Sequence, residues 1–313
     1  MKIAIIEPIG INKSLQNEFE TFCELREIEL VVAKSRPNDQ ESILNMAKDA
    51  NIIITGNMPI SSTVIDSCNN LKLISVAFTG VDHLPLKTCN KKGIMVCNAA
   101  GYSTESVTEL TFGMIFSLYR NIIRSAAITK SGLGRNGMLG TELSGKTFGI
   151  IGAGAIGLSV ANIANSFGCK VLVYSRTPKE LDNVTFTDLD DLLSKSDIVS
   201  LHLPLNEETK HLINKERLGK MKKDAILINT ARGPIVDYKA LAKALKNSEI
   251  AGAAVDVYET EPPLDKKHIL MDAPNILMLP HIAYATTEAI DKRSKIVIDN
   301  VKYWLADKPQ NCC

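Results

Sequence analysis

A glycine-rich turn between an apolar run and a helical pattern is the feature that most constrains the fold of this chain. The run at residues 148–151 ends in Gly152-Ala-Gly154-Ala-Ile-Gly157, and apolar residues at helical spacing then continue to about residue 167. Gly152 permits a sharp turn, Gly154 lets a ligand approach the backbone because it has no Cβ, and Gly157 lets the helix pack closely against the strand. The N–H groups at a helix N-terminus bind phosphate. The turn therefore predicts a strand–turn–helix unit that binds a dinucleotide.

Length and charge narrow the class of protein further. The chain has 313 residues, which is long for one hydrophobic core and predicts two domains. A formal net charge of +1 does not indicate binding to nucleic acid or to a membrane surface. The N-terminal apolar run is too short for a signal peptide, and no apolar segment reaches the length of a membrane span. We therefore expect a cytoplasmic protein whose ligands are small molecules.

The cysteines are scattered along the chain without a Cys-x-x-Cys motif. Their number, seven, is odd, and their spacing is irregular. This usage predicts reduced thiols rather than disulfides, and it predicts no metal site. Cys312 and Cys313 stand last in the sequence, where we expect a frayed tail, although such a pair could also oxidise or bind a metal.

Strand-like apolar runs alternate with helical patterns along most of the chain. The expected strands are residues 3–6, 28–32, 52–55, 73–76, 94–96, 148–151, 170–174, 197–202, 225–230, 250–256 and 276–279. A longer helix is expected from Thr104 to about residue 124. Such alternation is typical of parallel sheets covered by helices. The sequence therefore predicts an α/β protein in which residues 98–284 form one domain, inserted into another that consists of residues 1–97 and 285–313.

A turn after the fourth expected strand, Ala77-Phe-Thr-Gly-Val-Asp82, contains a single glycine. Turns at the carboxyl ends of strands are where open α/β sheets bind ligands, and exposed N–H groups in such a turn can hold a carboxylate. Taken alone, a plain turn is the simpler interpretation of this segment.

Eight short motifs follow one another along the chain. They are Gly80-Val-Asp82, Gly101-Tyr-Ser-Thr-Glu105, the glycine turn, Leu201-His-Leu-Pro-Leu205 with Thr209, Ile228-Asn-Thr-Ala-Arg-Gly233, Asp256-Val257, Glu261-Pro262 and Pro280-His-Ile-Ala283. With these motifs in this order, the chain resembles the NAD(P)-dependent D-2-hydroxyacid dehydrogenases. Within that family, Gly101-Tyr-Ser-Thr104 together with Ser175-Arg176-Thr177 is similar to the glyoxylate/hydroxypyruvate reductases. The resemblance implies a Rossmann-type doubly wound nucleotide-binding domain inserted in a flavodoxin-like substrate domain.

The resemblance also implies a reaction, the reduction of a 2-keto acid to the D-2-hydroxy acid by hydride transfer from NAD(P)H. His281 matches the general acid/base, and histidine suits this role because its pKa lies near neutral pH. Glu261 matches the partner that orients the ring and favours its protonated form. Arg232 matches the residue that binds the substrate carboxylate and keto oxygen. In this family the turn after the fourth strand also binds the carboxylate, which reverses the simpler interpretation of Thr79, Gly80 and Val81.

Cofactor contacts implied by the resemblance are spread over the inserted domain. They involve Thr104, Gly152, Gly154, Ala155, Ile156, Gly157, Ser175, Arg176, Thr177, Leu203, Pro204, Thr209, Thr230, Ala231, Arg232, Asp256, His281 and Ala283. In NAD-binding members an acid near the end of the second strand binds the ribose 2′-OH, whereas Ser175-Arg176-Thr177 stands there in this chain with no acid adjacent. A basic, hydroxyl-bearing end favours a 2′-phosphate, so we expect a preference for NADP(H). NAD(H) is the alternative if Arg176 only stacks on the adenine.

The sequence motifs constrain the identity of the substrate less than they constrain the family. Glyoxylate or hydroxypyruvate is favoured, and the alternatives are D-lactate, branched or aromatic 2-hydroxy acids, and phosphoglycerate. Candidate side-chain pocket residues are Phe78, Leu84 and Tyr102, with Tyr284 near the histidine. The resemblance further implies a homodimer formed through the helix at about residues 101–122 and neighbouring parts of the nucleotide-binding domain.

Two alternatives to a dehydrogenase of 2-hydroxy acids belong to other classes of protein. An NAD(H)-sensing, non-catalytic protein similar to the corepressors of this fold would not need the intact Arg232, Glu261 and His281 set. A formate dehydrogenase normally carries glutamine where Glu261 stands, because hydride leaves formate without proton transfer. The glutamate therefore favours acid/base chemistry.

Overall fold

The structure is a computed structural model that describes residues 1–135, 137–177, 182–260 and 262–313. The chain divides into two compact units. The first consists of Met1–Ser103 and Ala285–Cys313, and the second of Thr104–Tyr284. Glu261, one of the expected catalytic residues, lies outside the described residues.

The first unit is built on a parallel sheet in the order β2-β1-β3-β4-β5. Its strands are β1 (Lys2–Ile5), β2 (Glu29–Val32), β3 (Ile52–Thr55), β4 (Leu73–Val76) and β5 (Met95–Cys97). The residues of β3 and β4 are buried throughout, as their near-continuous Ile, Leu and Val runs predict for a parallel sheet covered on both faces. This strand order is that of flavodoxin-like folds, as expected.

Helices cover this sheet. They are α1 (Lys13–Glu24), α2 (Gln40–Ala47), α3 (Ser62–Ser67), α4 (Leu86–Lys91) and, from the C-terminal part of the chain, a helix at Thr287–Leu305 that becomes α11 in chain order. Side chains of Asn12, Asp39, Ser61 and Thr286 accept a backbone N–H and cap four of them. The short helix α4 was not predicted, because its Leu-Lys-Thr-Cys-Asn-Lys sequence buries only Cys89 and has no apolar stripe.

The C-terminal tail is ordered against β5, so the expectation of a frayed tail is wrong. The N–H of Asn98 donates to Asn311 O at 2.9 Å, and the N–H of Cys313 donates to Val96 O at 2.9 Å. These bonds place Cys97 opposite Cys312 in an antiparallel bridge, with their sulfur atoms 3.8 Å apart. All seven cysteines are free thiols.

Residues 98–103 belong to the first unit rather than to the inserted one, which shifts the expected boundary. Besides the bond to the tail, the N–H of Ala99 donates to Phe78 O at 3.0 Å, and the buried Asn300 side chain donates to Asn98 O at 2.8 Å. These backbone bonds tie the segment after β5 to its own sheet and to the last helix. Sequence motifs do not reveal such backbone hydrogen bonds.

The second unit contains a parallel sheet in the order β12-β11-β10-β9-β6-β7-β8. Its strands are β6 (Thr147–Ile151), β7 (Lys170–Tyr174), β8 (Thr185–Phe186), β9 (Ile198–Leu201), β10 (Ile226–Asn229), β11 (Gly252–Val255) and β12 (Ile276–Met278). Counted from β6, this is the doubly wound Rossmann order, extended by one strand. The order reverses between β6 and β9, and ligands of such sheets bind outside the carboxyl ends of the strands at this switch point.

The helices of this unit cover both faces of its sheet. They are α5 (Thr104–Tyr119), α6 (Ile122–Lys130), α7 (Ala155–Ser166), α8 (Leu189–Lys195), α9 (Lys215–Leu218) and α10 (Tyr238–Lys246). The single helix expected from Thr104 to residue 124 is in fact two, because Asn121 adopts a left-handed conformation with φ 52° and interrupts it. None of the helices in the described parts of the chain is long and apolar enough to cross a membrane.

Candidate active site

The glycine turn joins β6 to α7 at the switch point of the sheet. Gly152 has φ 111°, and a Cβ added there would lie 2.2 Å from His202 O. A Cβ on Gly157 would lie 2.0 Å from Gly152 O. A Cβ on Gly154, by contrast, would meet nothing within 4 Å. Two glycines are therefore required by the turn itself, and Gly154 leaves open space at the N-terminus of α7, where Ala155 and Ile156 begin the helix. This shape and the positive end of the helix fit the pyrophosphate of a dinucleotide.

The loop after β9 passes beside this turn. Leu203 Cδ2 lies 3.0 Å from the position of a Cβ on Gly152. The Thr209 hydroxyl donates to Pro204 O at 2.7 Å and accepts the N–H of Asn206 at 2.8 Å. The expected cofactor residue Thr209 therefore shapes the loop that carries Leu203 and Pro204.

The end of β7 brings Ser175, Arg176 and Thr177 to the same edge of the sheet. Arg176 Nη1 lies 2.9 Å from Glu208 Oε2, and both side chains are exposed. An acid is thus present beside Arg176, although the sequence places none next to it along the chain. Sequence reasoning missed Glu208 because it lies on the loop after β9, and its position just before Thr209 was the only available signal.

Arg232 follows β10 and precedes a short 3-10 helix at Gly233–Ile235. The buried Asn229 side chain holds this segment: its Oδ1 accepts the N–H of Ala231 at 3.1 Å, and its Nδ2 donates to Arg232 O at 3.0 Å. The Arg232 guanidinium donates to Ala231 O at 2.8 Å. A Cβ on Gly233 would lie 2.0 Å from the Tyr258 carbonyl carbon, so the chain can pass here only with glycine. Asn229 is a positioning residue that the sequence analysis did not identify.

His281 follows β12 and has a left-handed backbone, with φ 58°. The fully buried Asp256 carboxylate accepts the N–H of Ile282 at 2.9 Å and that of Ala283 at 2.8 Å. The Tyr284 ring contacts the imidazole edge to face, with ring centroids 5.5 Å apart. Asp256, expected beside the cofactor, thus anchors the backbone that follows His281.

Arg232 and His281 belong to one edge of one sheet. Strands β10 and β12 flank β11, so their carboxyl ends are two inter-strand spacings apart, roughly 10 Å. Of the other expected contacts, Thr230 is buried with its hydroxyl 3.4 Å from that of Thr111, and Thr104 is the first residue of α5.

The expected substrate turn, residues 79–81, lies in the first unit after β4. The Asn98 side chain donates to Thr79 O at 2.9 Å, and the N–H of Leu84 donates to Val81 O at 3.0 Å. Beside the turn, the Phe78 and Tyr102 rings meet edge to face at 6.3 Å. Leu84, the third candidate for the pocket, is buried in the hydrophobic core of this unit, and Phe78 packs against the same core.

Two further histidines of the second unit have structural partners. The His202 imidazole Nε2 lies 2.8 Å from the buried Ser200 hydroxyl, and burial lowers the pKa of His202 to about 4. His268 lies 3.1 Å from Glu259, and its ring packs against Tyr258, whose pKa burial raises to about 12. Within the described ranges no group of three or more His, Cys, Asp or Glu could hold a metal ion.

The doubly wound sheet and its glycine turn define a dinucleotide-binding α/β protein. Residues 112–283 match the family model of the D-isomer specific 2-hydroxyacid dehydrogenase, NAD binding domain. The chain belongs to this family and is an NAD(P)-dependent D-2-hydroxyacid dehydrogenase. The expected family and fold class are thereby confirmed.

Individual relatives and solved structures agree with this assignment. The chain is 43% identical over 280 residues to a glyoxylate reductase of Thermofilum pendens, covering 86% of this chain and 82% of that protein. It is 36% identical over 255 residues to a hydroxypyruvate reductase of Thermotoga maritima, covering 80% and 83%. The structure of an acyclic imino acid reductase in complex with NADPH and D-Arg superimposes with a TM-score of 0.93, at 30% identity and 100% coverage of both chains.

Proposed function

We propose that this enzyme reduces glyoxylate and hydroxypyruvate to the corresponding hydroxy acids, with NADPH as the hydride donor. The observation that carries the proposal is the placement of Arg232 and His281 at the carboxyl edge of the sheet that also bears the glycine turn. Each stands on a segment held by a buried polar side chain, Asn229 or Asp256. The similarity to a glyoxylate reductase and a hydroxypyruvate reductase supports this substrate class.

The proposed chemistry divides between the cofactor and three side chains. The nicotinamide supplies the hydride for the keto carbon. The Arg232 guanidinium binds the substrate carboxylate through paired N–H donors and polarises the keto oxygen. His281 then donates a proton to the alkoxide that hydride addition leaves. Glu261 is proposed as the carboxylate that orients the imidazole and stabilises its protonated form.

Steady-state kinetics on a panel of 2-keto acids tests this proposal. Glyoxylate, hydroxypyruvate, pyruvate and phenylpyruvate are assayed with NADPH and with NADH, and 3-phosphoglycerate is assayed in the oxidative direction. His281→Asn should lower kcat by about 10²–10⁴-fold, the usual contribution of a positioned general acid. His211→Asn is the matched control, because His211 also has a positive φ, 50°, and is not one of the proposed site residues. Equal kcat values in the two variants, or a clear preference for phenylpyruvate, would contradict the proposal.

A second candidate reaction is the reduction of an imine formed from a 2-keto acid and an amine. It is favoured by the similarity over the full chain to the imino acid reductase bound to NADPH and D-Arg. The same Arg232 would bind the carboxylate of either substrate. The rate of NADPH oxidation is measured with pyruvate alone and with pyruvate plus L- or D-arginine. The added amine raises this rate only if the enzyme reduces the imine.

The proposed preference for NADPH rests on the end of β7. Arg176 is cationic, and the Ser175 and Thr177 side chains add hydroxyl groups on either side of it. Arg176→Ala should raise the KM for NADPH by about tenfold or more, since a charge-assisted phosphate contact is lost, while the KM for NADH changes little. A higher kcat/KM with NADH in the unaltered enzyme would contradict the assignment.

We also propose that the enzyme is a homodimer. All nine residues of α6 lie in the described part of the chain, and none of them is buried. Ile122 and Ile123 on this helix, together with Leu133 and Leu139 just beyond it, are exposed large apolar residues. Light scattering should give twice the mass of 34.2 kDa, and Ile122→Ser/Ile123→Ser should give the monomer mass.

The cysteines support a reducing compartment for this enzyme. Cys23, Cys68, Cys89, Cys97 and Cys169 are buried free thiols. Since structural disulfides are rare in the cytosol and common outside it, we propose the cytoplasm as the location. Cell fractionation with a cytoplasmic marker enzyme tests this.

A further inference from the structure

The ion pair between Arg176 and Glu208 connects two loops at the nucleotide end of the sheet. Arg176 follows β7 and Glu208 lies on the loop after β9, so the two residues come from the strands on either side of β6. The glycine turn that follows β6 begins between these two loops. The pair therefore stands at the switch point of the fold, where the adenosine half of a dinucleotide binds.

The loop that carries Glu208 is internally braced. Asn206 Oδ1 accepts the N–H of Glu208 at 2.9 Å and that of Thr209 at 2.9 Å. The Thr209 hydroxyl closes the same turn through its bond to Pro204 O. These bonds define the backbone of the turn that carries Glu208, and the Glu208 carboxylate lies 2.9 Å from Arg176 Nη1.

We propose that Glu208 is a specificity-determining residue, which competes with the 2′-phosphate of NADPH for Arg176 and so limits the preference for NADPH over NADH. This inference rests on the proposed use of Arg176 in cofactor binding. A 2′-phosphate carries about −1.5 to −2 charges, so a neighbouring carboxylate repels it and also occupies its cationic partner. The 2′-hydroxyl of NADH is neutral and can donate a hydrogen bond to a carboxylate.

Glu208→Gln is the variant that tests the proposal, because it keeps the shape of the side chain and removes its charge. Two cofactor fragments serve as probes in titration calorimetry: 2′,5′-ADP, which carries the 2′-phosphate, and 5′-AMP, which does not. We expect Glu208→Gln to raise the affinity for 2′,5′-ADP by about threefold to tenfold, the size of effect expected for one screened charge at short range. The affinity for 5′-AMP should stay unchanged or fall. The ratio of the two affinities is the measured quantity.

Glu207→Gln is the matched control, since Glu207 is an exposed acid in the same turn and changes the net charge equally. A ratio that shifts no more in Glu208→Gln than in Glu207→Gln overturns the proposal, because the effect would then be one of general charge. A ratio that falls in Glu208→Gln also overturns it, because Glu208 would then help to position Arg176 for the phosphate.

The double variant Arg176→Ala/Glu208→Gln separates competition for Arg176 from direct repulsion. If Glu208 competes for the guanidinium, the gain in affinity for 2′,5′-ADP that Glu208→Gln produces is at least threefold smaller when Arg176 is replaced by alanine. An undiminished gain overturns the competition.

The unaltered enzyme and the single variant Arg176→Ala report on the cofactor assignment independently. If the unaltered enzyme binds both fragments equally and Arg176→Ala has no effect, the proposed NADPH preference fails. A ratio that still rises in Glu208→Gln would then assign Glu208 direct repulsion of the 2′-phosphate and would overturn the competition for Arg176.

Discussion

Asp256→Asn probes the link between the buried core of the nucleotide-binding unit and His281. The Asp256 carboxylate accepts two backbone N–H groups, those of Ile282 and Ala283, at 2.9 and 2.8 Å, and it is fully buried. A hydrogen bond to a charged acceptor contributes about 1.5–3 kcal/mol. In the amide, one oxygen still accepts, but the NH₂ group faces the second N–H. One bond is lost and a buried donor is left unpaired, so the free energy of unfolding should fall by about 3 kcal/mol.

The assay combines thermal unfolding with kinetics. A loss of this size lowers the Tm of the nucleotide-binding unit by roughly 6–12 °C. Since Asp256 anchors the backbone next to the left-handed His281, kcat should also fall, by about tenfold or more, because small displacements of a catalytic group are costly. Asp237→Asn is the control: Asp237 also accepts two N–H groups, at the N-terminus of α10, where asparagine caps equally well. If Asp256→Asn proves no more destabilising than Asp237→Asn, or keeps full kcat, the anchoring argument fails.

The remaining predictions concern other parts of the two units. Gly157→Ala should abolish nucleotide binding, because the added methyl group meets Gly152 O at 2.0 Å. Fluorescence titration with NADPH checks this. Gly154→Ala should keep the fold, as judged by circular dichroism, because its methyl group meets nothing within 4 Å. The free energy of unfolding should fall by up to about 3 kcal/mol as the pH falls from about 6.5 to 4, because the unfolded state protonates His202 in this range and the folded state does not. Urea titrations at several pH values measure this free energy, and it should depend less steeply on pH in His202→Gln. Asn300→Ala should cost about 2 kcal/mol, since the buried Asn300 side chain bonds both Asn98 O and the tail residue Asn311; a Tm unchanged from that of the parent would contradict this.

The strands were the most predictable part of the fold. The expected bounds of β3, β4 and β7 are those of the structure, because buried parallel strands are short continuous apolar runs ended by polar or glycine residues. The break at Asn121 and the short helix α4 were missed, since a left-handed residue and a helix with one buried side chain leave no periodic signal. The ordered tail was missed for a related reason: its hydrogen bonds involve backbone groups, which every sequence carries.

The sequence by itself determined the family, the parallel α/β architecture and the glycine turn. These depend on local properties: apolar periodicity, the absence of a Cβ, and motifs within a few residues of one another. Only the tertiary structure decided how the site residues are held. Asp256 and the His281 segment are 26 residues apart in the chain, and Arg176 and Glu208 are 32 apart. A parallel sheet brings the carboxyl ends of its strands to one edge whatever their separation in sequence, so these pairings follow from strand order, which no local pattern encodes.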